Sequence, residues 1–192
     1  MRIFFVILFT FYSMNILSKN ATDFKLINQN NEFTQLEKFK GKVIVLEWFN
    51  HDCPFVKKHY QSKNMQKIQK EFVDKGVIWL SIISSAKNKQ GYLTPGQAKK
   101  RINVDKMNSS FLLLDTSGDV GRLYGAKTTP HMFVIDQSFN VVFDGPIDNK
   151  PSTSLDDIKD SKIYIIKILN DLLAGKKVKY RKMKPYGCSV KY

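Results

Sequence analysis

VIVLEWFNHDCPFV, residues 43–56, runs from a hydrophobic stretch rich in β-branched residues straight into a cysteine and a proline. A short, nearly continuous apolar run of this kind reads as a strand covered on both faces, and only Glu47 interrupts it. Pro54 suits the first position of a helix, because its missing N–H would have no partner there. Cys53 therefore falls between the C-terminal end of a strand and the start of a helix, the edge of an open α/β sheet where ligands and chemistry gather. The free N–H groups and positive dipole end of a helix start favour an anion. Lys57, four residues on, can add a second positive charge on the same face. Since the thiolate is the nucleophile, a reactive, solvent-open Cys53 is expected. The competing reading is a buried, inert cysteine.

Working outward, DFKLIN (23–28) reads as a short strand and EFTQLEKF (32–39) as a half-buried turn. Met65, Ile68 and Phe72 recur at spacings of three and four, so the helix that starts at Pro54 is expected to reach Gly76. VIWLSII (77–83) and FLLLD (111–115) are further buried strands. A short helix from Pro95 to about Val104 lies between them. VGRLYG, closed by Gly125, is another short helix. HMFVID (131–136) and VVFDG (141–145) form a hairpin-like pair, and Leu155–Leu173 carries one apolar helical face ending at Gly175. Strands separated by helices argue an α/β fold in which a mostly parallel central sheet, with an antiparallel hairpin at its edge, is flanked by helices. That makes a mixed sheet in a three-layer sandwich.

The chain has 192 residues, enough for one domain with a core of its own. Arg2 followed by IFFVILFTFY reads as the charged and apolar regions of a secretory signal, assigned to residues 1–18. An uncleaved N-terminal anchor is the alternative, and either way the body is expected to be exported. The domain is then 19–175, with 176–192 as a basic tail. The formal net charge of +14 raises nucleic acid as a partner. The lysines are scattered, however, no basic helix is interleaved with aromatics, and an exported protein rarely meets nucleic acid, so none is expected. Lys58 belongs to this scattered, solvated set. Only Lys176, Lys177, Lys179, Arg181, Lys182 and Lys184 cluster, which leaves contact with an acidic partner or membrane surface open for the tail.

KTTPHMFVID places Pro130 at the entrance of a strand, the position where proline is tolerated and a cis Thr-Pro bond is a candidate. Together, EWFNHDCPFV, this TTP and the element order resemble the thioredoxin fold. More specifically they are similar to its redoxin branch, the alkyl hydroperoxide reductase/thiol-specific antioxidant group and its peroxiredoxin-like relatives. The likeness spans roughly residues 23–175, and the closing YGCSVKY resembles the ending of those relatives. It implies a cis-Pro130 beside Cys53, with the Thr129 backbone available to pair with a substrate strand. Two departures narrow the activity. A thioredoxin carries Cys-x-x-Cys, and here Val56 stands at the second position. A typical peroxiredoxin carries P-x-x-x-T-x-x-C, and here Leu46 and Asn50 occupy the proline and threonine positions, so the hydroxyl that polarises a peroxide is missing. Cys53 matches the first cysteine of the thioredoxin motif. Thiol–disulfide exchange with protein or small-molecule thiols and disulfides is thus better supported than peroxide reduction. A thiol-dependent peroxidase and a non-catalytic binding module of the same fold stay as alternatives.

A single nucleophilic thiol forms a mixed disulfide that something must resolve. Cys188 is the only internal candidate, next to Gly187 in the tail. Pairing would close a loop of about 135 residues and stabilise the fold by about 5 kcal/mol at most, so a purely structural bridge competes with a redox-active pair, as does no pairing. His51, Cys53, His59 and His131 raise zinc or copper, but His59 projects from another helical face than Cys53, and no metal or cofactor is expected. The histidines read as surface or strand-end residues. Glu47 is a candidate proton acceptor near the thiol, with a lysine-paired carboxylate as the alternative. Asp144 and Asp148, around GPID, read as turn residues.

Overall fold

The computed structural model describes residues 19–192, so the signal assigned to residues 1–18 lies outside the described residues. The stretch 43–56 folds as its pattern predicts. β4 (Ile44–Trp48) is buried along its whole length and is followed by α1 (Pro54–Gln61). The strand sits mid-sheet, with its edges paired to β5 (Ile78–Ile83) and β8 (His131–Ile135), and elements packed on each side of the sheet cover its two faces.

The remaining elements are β1 (Lys19–Asn20), β2 (Lys25–Asn28), β3 (Phe33–Gln35), α2 (Asn64–Asp74), α3 (Pro95–Asp105), β6 (Phe111–Leu114), α4 (Asp119–Tyr124), β7 (Thr128–Thr129), β9 (Asn140–Gly145), α5 (Tyr164–Leu173), β10 (Arg181–Lys182) and β11 (Cys188–Ser189). The main sheet runs β1-β9-β8-β4-β5-β6-β2-β3. Along that path, the parallel pairings are β4 with β5 and β5 with β6. Antiparallel strands flank them on both sides, β8 and β9 on one and β2 and β3 on the other. The sheet is therefore mixed, as expected, with more antiparallel pairing than the element order suggested.

Period-two alternation sorts the core into two halves. Val43, Val45 and Phe49 face α1, α2, α3 and α5, meeting Val56, Phe72, Ala98 and Leu169. Ile44, Leu46 and Trp48 face α4 and the 3-10 turn at 36–39, meeting Leu36, Val120 and Tyr124. Each fully buried side chain of this size contributes about 1.5–3 kcal/mol, which makes the three layers one cooperative unit.

Three elements differ from their sequence patterns. The helix expected from Pro54 to Gly76 is broken at Lys63, which adopts φ 60°, while the Ser62 hydroxyl donates to the Lys58 carbonyl at 2.7 Å. Such back-bonding offers the chain an exit from the helix. The last helix starts at Tyr164 rather than Leu155. Its first turn is displaced by strand-like contacts, with Tyr164 N–H donating to the Ile147 carbonyl at 3.0 Å. The tail, finally, is part of the fold. β10 lies parallel to β9, and β11 pairs antiparallel with β7, so residues 176–192 return to the strand ends that carry Cys53.

Candidate active site

Asn50 builds the turn that delivers Cys53. Its Oδ1 accepts the Asp52 N–H at 2.9 Å, its own carbonyl accepts the Cys53 N–H at 3.0 Å, and its amide reaches the Gln90 carbonyl at 3.3 Å. Asn50, at the position of the peroxiredoxin threonine, thus acts as a turn residue, its side chain bonding two residues ahead. Cys53 is then the N-cap of α1, with its carbonyl accepting the Val56 and Lys57 N–H groups at 3.0 and 2.9 Å. The sulfur lies where the helix dipole is positive.

The Thr129–Pro130 peptide is cis. The Cys53 thiol donates to the Thr129 carbonyl at 3.0 Å. Cys188 is the strand partner of that same Thr129. Both cysteines are free thiols, and Cys188 packs against the core cluster that contains Cys53. Burial pushes the Cys188 thiol up to about 11, with the Cys53 sulfur adding to the shift and Lys191 opposing it. The two cysteines that sequence spacing left unconnected thus share one site at the cis-proline edge.

Cys53 is not open to solvent, contrary to expectation. Its exposure is 0%, and it belongs to the same core cluster as Val56, against which Tyr186 and Cys188 of the tail pack. Lys57 is exposed and lines a cleft of about 300 Å³ with His51, Tyr60 and Arg101. Glu47 is fully buried and pairs with no lysine. It accepts from Tyr60 Oη at 2.9 Å, Gln69 Nε2 at 3.0 Å, Trp79 Nε1 at 2.8 Å and Ser81 Oγ at 2.9 Å. Its hydrogen bonds go to these four neutral donors and not to the thiol. Burial raises its carboxyl, and the four donors oppose that shift.

Several residues read as surface are buried. Asp148, read as a turn residue, is 1% exposed and holds Lys58 Nζ at 3.2 Å, with neither side chain reaching solvent. Lys58 also donates to the Lys150 carbonyl at 2.7 Å, and so it is not part of the solvated lysine set. Asp148 further accepts the Tyr186 hydroxyl. His131 and Asp144, read as strand-end and turn residues, form a buried pair at 2.8 Å. The histidines fall into three separate places, His51 beside Asp52, His59 beside Asp148 and His131 beside Asp144.

His59 carries a pH prediction. Burial lowers its pKa to about 4, against the pull of Asp148 and with help from Lys58. Asn64 donates to Nδ1 at 2.9 Å, which leaves the ring proton on Nε2. Below the unfolded value of about 6.5, the unfolded chain binds a proton that the folded ring refuses, so stability falls as pH drops through the window from about 6.5 to about 4. The loss from this group is up to about 3 kcal/mol. Urea unfolding at pH 7 and pH 4.5 checks it, since His59→Gln should flatten that part of the profile.

The AhpC/TSA family model matches residues 17–144, well over half of the chain. Among solved structures, an uncharacterized conserved protein from Geobacillus kaustophilus superposes with TM-score 0.74 at 26% identity, covering 94% of each chain. A hypothetical protein from Sinorhizobium meliloti superposes with TM-score 0.74 at 21% identity, covering 92% of this chain and 94% of the other. The peroxidoxin BcpB from Mycobacterium tuberculosis superposes with TM-score 0.55 at 21% identity, covering 83% and 97%. A comparison with curated proteins found no match. A thioredoxin-like mixed sheet, a cysteine capping the helix after its central strand and a cis-proline opposite it are thus joined by a family match, and the chain belongs to the AhpC/TSA family of thioredoxin-fold redoxins.

Proposed function

We propose that the protein is an exported thiol–disulfide oxidoreductase in which Cys53 is the nucleophile and Cys188 the resolving thiol. The observation that carries this reading is the meeting of both cysteines at Thr129, Cys53 through its thiol and Cys188 through strand pairing. Cys53 takes the nucleophile's role because it caps the helix that starts at Pro54 and holds its thiol at the cis-proline edge. Cys188 holds its proton beside the Cys53 sulfur and so is not the thiol that attacks first.

The steps balance as a two-electron exchange. The Cys53 thiolate attacks one sulfur of a substrate disulfide, forming a mixed disulfide and releasing the other substrate sulfur as a thiolate. Cys188 loses its proton and attacks the Cys53 sulfur, which frees the second substrate thiol and leaves a Cys53–Cys188 disulfide. An external thiol returns that disulfide to the dithiol by the reverse chemistry. Thr129 and Pro130 form the edge against which a substrate strand lies. Val56 in place of a second motif thiol is what makes a distant resolving cysteine necessary.

The test uses a peptide disulfide and mass detection. Wild-type protein should reduce it stoichiometrically and end as the Cys53–Cys188 disulfide. Cys188→Ser should accumulate the mixed disulfide on Cys53, and Cys53→Ser should give neither product. Equal turnover by Cys188→Ser and wild type, with no trapped species, would remove Cys188 from the reaction. Consumption of hydrogen peroxide faster than of the peptide disulfide would favour the peroxidase alternative.

A further inference from the structure

The last seven residues are fastened along the catalytic edge by contacts that a loose resolving arm would not need. The Val190 N–H donates to the Lys127 carbonyl at 3.2 Å, and the Lys191 carbonyl accepts from Ala86 N–H at 2.9 Å. The Tyr192 hydroxyl donates to the Ala126 carbonyl at 2.7 Å, and the Arg122 guanidinium stands 4.5 Å over its ring. That ring lies so close to Gly118 and Gly121 that a Cβ at either would collide with it.

At the other end, Tyr186 packs edge-on against Phe55 of α1 at 5.7 Å and donates to the buried Asp148. Between the anchors, Gly187 has φ 132°, and a Cβ there would overlap the Thr129 carbonyl oxygen. Only glycine passes this point. The docked strand therefore fills the backbone edge that an incoming polypeptide would pair with, and beneath it Cys53 has no exposed surface.

Both thiols are quiet in this arrangement. Cys53 cannot be reached, and Cys188 holds its proton. The reactive form must be one in which the strand has lifted.

We propose that residues 186–192 are a latch that lifts from Thr128–Thr129 to admit an extended, cysteine-bearing polypeptide segment in its place, and that Tyr186, held by Asp148, is the positioning residue that sets both how often the latch opens and how readily Cys188 returns. The proposal rests on the reading of Cys53 as nucleophile and Cys188 as resolving thiol. Tyr186 touches neither sulfur's reaction partner and acts through the strand it anchors. One strand thus serves as competitor of the substrate before exchange and as carrier of the resolving thiol after it.

Iodoacetamide alkylation of Cys53 in the reduced full-length protein, followed by peptide mass analysis, measures the open fraction directly. The docked wild type should label slowly. Cys188→Ser, which keeps the strand but not the thiol, should label as slowly. Tyr186→Phe keeps the ring and loses the bond to a charged acceptor, an interaction that shifts such an equilibrium about tenfold or more, and labelling should accelerate by that factor. A chain ending at Lys184 should label fastest.

A second readout is the equilibrium between the Cys53–Cys188 disulfide and glutathione. The effective concentration of Cys188 should fall in Tyr186→Phe by the same factor. A Tyr186 with only a structural role would lower the melting temperature and leave the glutathione ratio unchanged. Wild-type labelling rates in both Tyr186→Phe and the shortened chain would overturn the latch. Loss of the trapped mixed disulfide described above, with these labelling differences intact, would instead overturn the nucleophile assignment alone.

Discussion

Asp148→Ala is expected to destabilise the fold by about 3–5 kcal/mol and to free the C-terminal strand in the molecules that remain folded. Among the described residues, the carboxylate is the only counter-charge bonded to Lys58, whose side chain is completely buried. With Asp148 gone, the ammonium keeps a single bond, to the Lys150 carbonyl. Breaking a buried pair by removing one partner costs far more than the pair contributes net, because the remaining charge stays dehydrated. The same change removes the acceptor of the Tyr186 hydroxyl and of the Lys150 N–H, the latter at 2.9 Å. A paired substitution separates these consequences. Lys58→Met with Asp148→Leu replaces the ion pair by apolar groups of similar volume, which is often neutral for stability. Urea unfolding should then recover most of the loss while Cys53 labelling stays fast, because Tyr186 still has no acceptor. Slow labelling in the paired variant would show that the strand is held by its other contacts.

The residues that made this outcome legible from sequence are those with local consequences. The β-branched run of β4, the cysteine at its end and Pro54 at N1 settle a strand, a cap and a helix within fourteen positions, and all three are found. Thr94-Pro95 likewise announces α3, where Thr94 and Gln97 complete a capping box. The break after Gln61 is hard to read because Met65, Ile68 and Phe72 resume a three-and-four spacing directly beyond it, and the interruption depends on one serine turning back to Lys58. Residues 155–163 carry a helical pattern, but the pull of Asn149 on the Lys162 N–H, at 2.7 Å, draws them off the helix axis.

The tail was the least legible segment. Two-residue strands have no periodicity, and Gly187 reads as freedom until the Thr129 carbonyl is placed beside it. The burial of Cys53 follows from that distant return, which no local pattern contains. Asp148 misled for the same reason. An aspartate after Gly-Pro is usually a turn residue, and its buried partner lies ninety positions earlier.

Glu47→Ala is expected to lower stability by at least about 4 kcal/mol, whereas Glu47→Gln should lower it by about 1–2 kcal/mol. The side chain is sealed in the core among groups from three elements. Tyr60 bonds Oε1, while Gln69, Trp79 and Ser81 all bond Oε2. Alanine strands all four donors without water, at about 1–3 kcal/mol for each that finds no other acceptor. Glutamine with its carbonyl in the Oε2 place keeps three of them, and its amide can donate to Tyr60 Oη. The pH dependence has a fixed sign. Burial raises the folded Glu47 pKa above its ordinary value, so the unfolded chain releases this proton first and stability from this group declines as pH rises past about 4.5. Glutamine has no proton to release, so Glu47→Gln should show a shallower decline in that range. Chemical unfolding of the three proteins at pH 4.5 and pH 7.5 decides between two accounts of the site. If alanine and glutamine are equally harmful, the negative charge sustains the network. If glutamine is mild and its pH slope flatter, what the four donors require is an acceptor, charged or not.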